Sequence, residues 1–267
     1  RGGRLPPAEA GVRRDGRRRG PGLRRGGRAP LAGVSVTYLT RLEQGQSHNA
    51  SDAVIDALAR ALRLDPDERA HVDALVHPRP VRRSHPYRPA TARPGAVQLL
   101  RSMGEVPAVL LGRFNDILAW NRAGHLLLAG HLDDDAPSRV EDRPNQLTLL
   151  FLDPHTRDLY VDWAEEAARA VASLRYVAAQ FADDRRLAGL VGELSVKSPE
   201  FACLWAGHDV RLCTSGTKRL RHPTVGILER GFEVLHLPEG NGQRVLTHTA
   251  APGSASSAAL RLLVSTA

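Results

Sequence analysis

The sequence predicts an α+β protein that begins with a small all-helical module. Three observations carry this expectation. Short amphipathic helices fill residues 35 to 76, a proline-laced spacer covers residues 77 to 94, and a strand, helix block, strand order follows from residue 95 to the end. At 267 residues the chain is long enough for about two domains.

Residues 1 to 30 are rich in Gly, Pro and Arg without apolar periodicity, so they are read as disordered. Order is expected from Leu31. A glycine turn at Gly33 precedes Ser35 as N-cap, Leu39 and Leu42 share one face of a short helix, and Gly45 ends it. This is a helix, turn, helix boundary. Ser51 or Asp52 can cap a helix carrying Ile55, Leu58, Ala59 and Leu62, and Asp65-Pro66-Asp67-Glu68 opens a third by N-cap, Pro at N1 and Glu at N3. Five prolines among residues 77 to 94 mark a semi-extended linker, so the expected domains are 1–30, 31–76 and 95–267 about that linker.

Beyond the linker, Ala108 to Leu111 and Ile117 to Trp120 flank Gly112-Arg113-Phe114-Asn115-Asp116 as a β-hairpin, followed by a helix through Leu126 to Leu128. Asp162-Trp163-Ala164-Glu165 has the capping-box pattern, and Trp163, Ala167, Val171, Leu174, Ala178 and Phe181 recur at helical steps. Leu187, Leu190, Val191 and Leu194 mark the next helix, and Ser198-Pro199-Glu200 caps another. Three short runs, Thr224 to Leu228, Phe232 to Leu237 and Arg244 to Thr249, read as antiparallel strands before a closing helix from about Ser254.

The formal charge of +8 is unevenly spread: residues 1 to 41 hold eleven Arg against Glu9 and Asp15, and the remaining chain is nearly neutral. A basic end suggests a polyanion partner for that end, nucleic acid first, and a different task for the rest. No apolar run approaches the ~18 residues of a membrane span and nothing reads as a signal peptide, so a cytoplasmic protein without a membrane partner is expected. Cys203 and Cys213 lack paired zinc spacings and are read as reduced, buried thiols. The scattered histidines give no metal site, and no cofactor motif of the G-x-G-x-x-G, P-loop or H-E-x-x-H kind occurs. Ser198, His208 and Asp209 lie close in sequence, but Ser198 sits where an N-cap would, and sequence proximity supplies neither alignment nor an oxyanion site, so no enzyme is expected.

The chain closely resembles the MmyB-like transcription regulators, which join an XRE (Cro-like) helix-turn-helix to a PAS-like ligand-binding domain. The resemblance runs through Arg17-Arg18-Arg19, Pro21-Gly22-Leu23-Arg24-Arg25, Leu118-Ala119-Trp120-Asn121, Phe151-Leu152-Asp153-Pro154, Val161-Asp162-Trp163, Gly192-Glu193-Leu194-Ser195, Ser198-Pro199-Glu200-Phe201, Trp205 with His208-Asp209-Val210, Gly216-Thr217-Lys218, His222-Pro223 and Pro252-Gly253-Ser254. It implies a nucleoid-associated, one-component regulator that binds a palindromic DNA operator as a homodimer. It also implies a small hydrophobic ligand, with fatty-acid-like molecules among the candidates. Ser35 is then the N-cap and Val36, Thr37, Tyr38 and Arg41 face the duplex, with Gln44, Ser47 and Asn49 as phosphate contacts and Arg24 and Arg25 as further DNA-binding residues, while Tyr38 can instead pack between helices and Arg41 pair with Glu43 or another acid. For the pocket, Trp120, Phe151, Trp163, Phe201 and Trp205 are large enough to line a cavity, although aromatics at helical spacing also serve as plain core. Arg175 and His208 can neutralise a carboxylate there, or serve instead as a surface ion pair and a satisfied core or capping histidine.

One departure from the family pattern matters. Gly26-Gly27-Arg28-Ala29-Pro30 stands where relatives have a regular first helix, which puts roughly 5 kcal/mol of helix propensity at stake. The chain begins with Arg rather than Met and lacks the helix that relatives carry before Leu5, so it reads as a fragment or a decayed or mistranslated start. Weakened or absent DNA binding is therefore expected, with a sensor or dimerisation domain that has lost its DNA half as the alternative function.

Overall fold

The computed structural model describes residues 29–44, 46, 50–76, 89–181, 183–238 and 241–265. The chain divides into two compact units, Arg1–Val81 and Arg82–Ala267.

In the first unit, residues 29–31 are helical, so helix is already present at Pro30, inside the stretch expected to be disordered. The amides of Ala32 and Val34 both donate to Ala29 O, and Gly33 turns the chain at φ +67°, a conformation that favours glycine. Ser35 then caps α1 (Val36–Glu43), its hydroxyl accepting from the Tyr38 amide at 3.1 Å. Next comes α2 (Asp52–Ala61), with Ser51 at the N-cap position but no side-chain capping bond, and Ile55 and Ala59 buried. In α3 (Pro66–Val76) the capping box is reciprocal. Glu68 N donates to Asp65 Oδ1, and Asp65 N donates to Glu68 Oε2, each at 2.9 Å. Amphipathic packing was expected of all three helices, yet α3 buries no residue.

The second unit opens with α4 (Pro94–Ser102), a helix the sequence reading did not identify, with Pro94 in its first turn and Ala96 and Leu100 buried. The expected hairpin follows as β1 (Ala108–Leu111) and β2 (Ile117–Trp120), and α5 (Arg122–Ala129) as the helix after it. Two further short helices, α6 (Gln146–Leu152) and α7 (Pro154–Leu159), were also missed. The long helix α8 (Trp163–Ala178) forms as expected, but Asp162 does not cap it by a side-chain bond. Its carboxylate takes the Arg219 guanidinium instead, at 2.9 and 3.1 Å. Then come α9 (Arg185–Lys197) and α10 (Pro199–Ala206), the latter capped by Ser198 Oγ accepting from the Phe201 amide at 3.1 Å.

The remaining elements are β3 (Ser215–His222), β4 (Gly226–His236), β5 (Arg244–Thr249) and α11 (Ala255–Ser265). Two of the three expected strand runs merge into the single strand β4, and β3 was not foreseen because its only buried side chains are Leu220 and His222. The five strands form one antiparallel sheet in the order β2-β1-β5-β4-β3, which with the surrounding helices makes an α+β domain.

Register fixes which side chains share a sheet face, since directly opposed residues point the same way. Leu111 lies opposite Arg244, Val109 opposite Leu246, Val234 opposite Leu246 and Lys218 opposite Arg230. The opposite face, with Leu110, Leu118 and Val245, packs against Ala96 and Leu100 of α4. Buried Asn121 ties these parts together. Its Oδ1 accepts from the amides of Ala108 at 3.0 Å and Gly124 at 2.8 Å, while Nδ2 donates to Leu100 O at 3.3 Å and Val106 O at 2.8 Å. Gly124 must be glycine: a Cβ there would stand 2.4 Å from Ala108 O.

Candidate functional site

In the first unit the turn at Gly33 and the Ser35 cap present α1 with Val36, Thr37, Arg41 and Gln44 exposed and Leu39 buried. A short helix anchored by one leucine, with polar and cationic side chains outward, suits contact with base edges and phosphates. Ser35 is exposed and its hydroxyl is engaged in the cap, whereas Tyr38 is half-buried. Arg24, Arg25, Ser47 and Asn49 lie outside the described residues.

In the second unit a cavity of about 100 Å³ sits on the face of the sheet that carries Val109, Leu111, Ile117, Phe232, Val234 and Leu246. Leu147, Leu149 and Leu150 of α6, Leu128 of α5 and Ala170 of α8 complete the apolar wall. The apolar character follows from period-two alternation on β4 and β5, which turns one row of side chains inward.

Each end of this wall carries cations. Arg244 and Lys218 both line the cavity, and they lie opposite His236 and Arg230, which are six residues apart on β4, or about 20 Å at the usual strand rise. At the first corner Arg244 Nη1 donates to Gly112 O at 2.9 Å and Nη2 donates to Asn115 Oδ1. Gln146, whose amide donates to Asn115 O at 2.9 Å, lines the same corner. Arg244 keeps some accessible surface, and burial lowers its pKa to about 10, which leaves it charged near neutrality.

At the other corner Lys218 Nζ bonds Glu166, and both side chains are nearly inaccessible. Arg169 bridges Glu165 at 3.0 Å and Glu166 at 3.3 Å. Burial pulls the Lys218 ammonium down, against the charge of Glu166. Behind them lies Arg230, 1% exposed, which donates to His248 Nδ1 and has no partner at Nε or Nη2. Burial, then the charges of Arg230 and Lys218, hold His248 well below its ordinary pKa, so it is neutral. Burial and the charge of Glu166 push Tyr160 up to about 12. The Glu166–Lys218 pair also borders a second, polar cavity of about 210 Å³, lined by Asp162, Thr217, Arg219 and Glu229.

Of the aromatic and polar residues expected at a pocket, Trp120 lines the apolar cavity. Phe151, Trp163, Phe201 and Trp205 do not. They form a separate packed series, with Phe151 edge-on to Trp163 at 5.8 Å and to Phe201 at 5.2 Å, and Phe201 stacked on Trp205 at 5.8 Å. The plain-core reading of aromatics at helical spacing applies to these four. Arg175 lies over the Trp205 ring at 4.0 Å, bonds Trp205 O and reaches His208 Nδ1 at 3.2 Å, so this pair secures α8 to α10 rather than lining the cavity. Neither cysteine is buried. Cys203 is exposed on α10, where Phe201 occupies the inward face, and half-buried Cys213 lines the cavity, with burial raising its pKa.

Sequence reasoning passed over Glu166, Arg169, Lys218, Arg230 and Arg244. A signal existed for two of them: in Arg230-x-Phe232-x-Val234 and Arg244-x-Leu246 a cation stands two residues before an apolar side chain of the same row. Among the described residues no group of three or more His, Cys, Asp or Glu is placed to hold a metal ion, and no helix is long and apolar enough to cross a membrane.

Residues 92–263 match the family described as MmyB-like transcription regulator ligand binding domain, and residues 13–72 match a helix-turn-helix domain family. The second match reaches back across the Gly/Pro/Arg-rich segment. No curated protein sequence matches the chain.

Proposed function

The chain belongs to the MmyB-like transcription regulators, and we propose that it is a one-component regulator whose DNA affinity responds to a small hydrophobic ligand. The tandem of a helix-turn-helix and a ligand-binding domain in one polypeptide carries this reading. The regulator role rests on that tandem, and both matched families are regulator domains rather than enzymes. The ligand is assigned to the apolar cavity between the sheet face and α6 and α8, where it is bound rather than turned over. Thr37 and Arg41 are assigned to reading or holding the duplex, with Val36 and Gln44 beside them, and their exposure on α1 supports this.

The reading includes a homodimer on a palindromic operator, its half-sites about 34–36 Å apart, and a cytoplasmic, nucleoid-associated location. A fluorescence-anisotropy titration tests it, using duplexes selected from a random pool. Expected are salt-sensitive binding, with about −0.9 in log–log slope per phosphate neutralised, and a changed affinity when apolar compounds are added. Arg41→Ala should weaken binding, and should reduce the salt slope by about 0.9 if Arg41 holds a phosphate. An affinity that no apolar compound changes would defeat the sensor role. Failure to select any duplex would favour the second reading, a sensor whose DNA half is disabled at Gly26, Gly27 and Pro30.

A further inference from the structure

We propose that the outward face of the β3–β4 ribbon is the surface through which two copies of this chain pair. This rests on the homodimer in the regulator reading and names its contact. The sheet face turned away from the apolar cavity is covered unevenly. Over β1, β2 and β5, α4 packs on Leu110, Leu118 and Val245. Further across the same face Ile227, Glu229, Glu233 and Leu235 of β4 and Arg219 and Arg221 of β3 are all exposed, Ile227 at 67% and Leu235 at 48%. Period-two alternation puts these six side chains on one side, and the register sets Arg221 opposite Ile227 and Arg219 opposite Glu229. A cationic row on β3 therefore runs beside an acidic row on β4. Arg219 is held by Asp162, but among the described residues Arg221, Glu229 and Glu233 form no ion pair.

Two adjacent rows of opposite sign are complementary to themselves. A two-fold axis parallel to the strands and running between them lays β3 of each copy over β4 of the other, so that cations meet acids twice over. The strands of the two sheets are then nearly aligned, as in ordinary face-to-face sheet packing. An axis across the strands would instead stack β4 on β4 and set acid against acid. A polyanion is repelled by Glu229 and Glu233, and a polycation by Arg219 and Arg221, which leaves a partner bearing both signs in the same two rows. Ile227 and Leu235 give that contact its apolar part. Eight residue pairs extend roughly 26 Å at the usual strand rise, across two strands about 10 Å wide in all. Such a patch is smaller than the roughly 800 Å² per partner of a standard stable complex, so a reversible dimer with a dissociation constant on the order of 10 µM is expected.

Sedimentation equilibrium of the full chain without DNA, in low salt and up to about 200 µM, tests the pairing. The unaltered chain should dimerise, less so as salt is raised. Arg219→Glu/Arg221→Glu makes both rows acidic and Glu229→Arg/Glu233→Arg makes both basic, so each variant should stay monomeric alone, while an equal mixture of the two should pair. Rescue on mixing is an effect that misfolding does not imitate, and far-UV circular dichroism verifies the fold of each. If the first variant fails to fold, Arg221→Glu alone decides, with pairing expected to weaken at least about tenfold. Either row variant pairing as tightly as the unaltered chain overturns the surface and leaves the homodimer standing elsewhere. Folded row variants that stay monomeric when mixed overturn the row-on-row arrangement. An unaltered chain that is monomeric throughout also overturns the surface, and two chains on one operator duplex would then still uphold the homodimer of the regulator reading.

Discussion

The two cationic corners of the cavity balance their charge in opposite ways. At Lys218 the ammonium, Arg169 and Glu166 form a closed set of ion pairs, with Arg230 and neutral His248 packed behind. At Arg244 the charge rests on backbone carbonyls and one side-chain amide. A carboxylate already in place fixes the first corner as structure. The dipoles at the second hold a cation in position without cancelling its charge. The same residue chemistry thus yields a fastening at one end and a receptive end at the other.

The largest test of this contrast is Lys218→Met, which leaves enclosed Glu166 with Arg169 at 3.3 Å as its one remaining cation and should cost about 3 kcal/mol in urea unfolding. Adding Glu166→Gln should restore most of the loss, since the enclosed charge is then gone and Met still packs on Phe232, where Nζ lies 4.3 Å from the ring. A single-variant loss below about 1 kcal/mol would mean that water reaches the pair and that the corners do not differ.

Acid should come next in size. Because the folded-state pKa of His248 lies below its unfolded value of 6.5, the unfolded chain takes up a proton that the native state refuses. Stability is then full above about pH 6.5 and is lost as pH falls below it, by up to about 1.4 kcal/mol per pH unit for one such group. His248→Gln should flatten the fall in urea midpoint between about pH 7.5 and pH 5.5. His236→Gln should flatten it less, because His236, facing Arg244, is lowered by burial and by that charge but not so far. Equal flattening would remove the electrostatic difference between the corners. The smallest effect should be Arg113→Gln, under about 1 kcal/mol, because its pairing with Asp184 is long and partly solvated. A cost near that of Lys218→Met would show a second fastened corner instead.

Local signals in the sequence located much of the fold. Gly33 with Ser35, Asp65 with Glu68, and Ser198 before Pro199 each state a turn or cap in adjacent residues, and each forms as read. The hairpin at residues 108–120 and the long helix α8 were legible because their apolar periodicity is strong. Strand β3 was not, since Ser215 to His222 gain their conformation from eight pairings with β4 rather than from their own pattern. Asp162 shows a capping pattern overruled by tertiary contact, because Arg219 on β3 offers a charged partner where the helix offers amides. The site was the least readable part. Lys218, Arg230 and Arg244 come from three strands, and only the register brings them to one face. The aromatic residues were legible as large but not as core or lining, because a ring on a helix looks the same in sequence whichever surface it meets.

Asn121 gives the second unit a mechanical property. One amide side chain holds Leu100 at the end of α4, Ala108 at the start of β1 and Gly124 in the first turn of α5. Directional bonds of this kind resist shear far better than greasy contact, so strand and helix are pinned like the arms of a rivet. Val109 and Leu111, one and three residues further along β1, touch the cavity. A guest that pushes on that strand therefore loads α4 too, the helix with which the second unit's described elements begin.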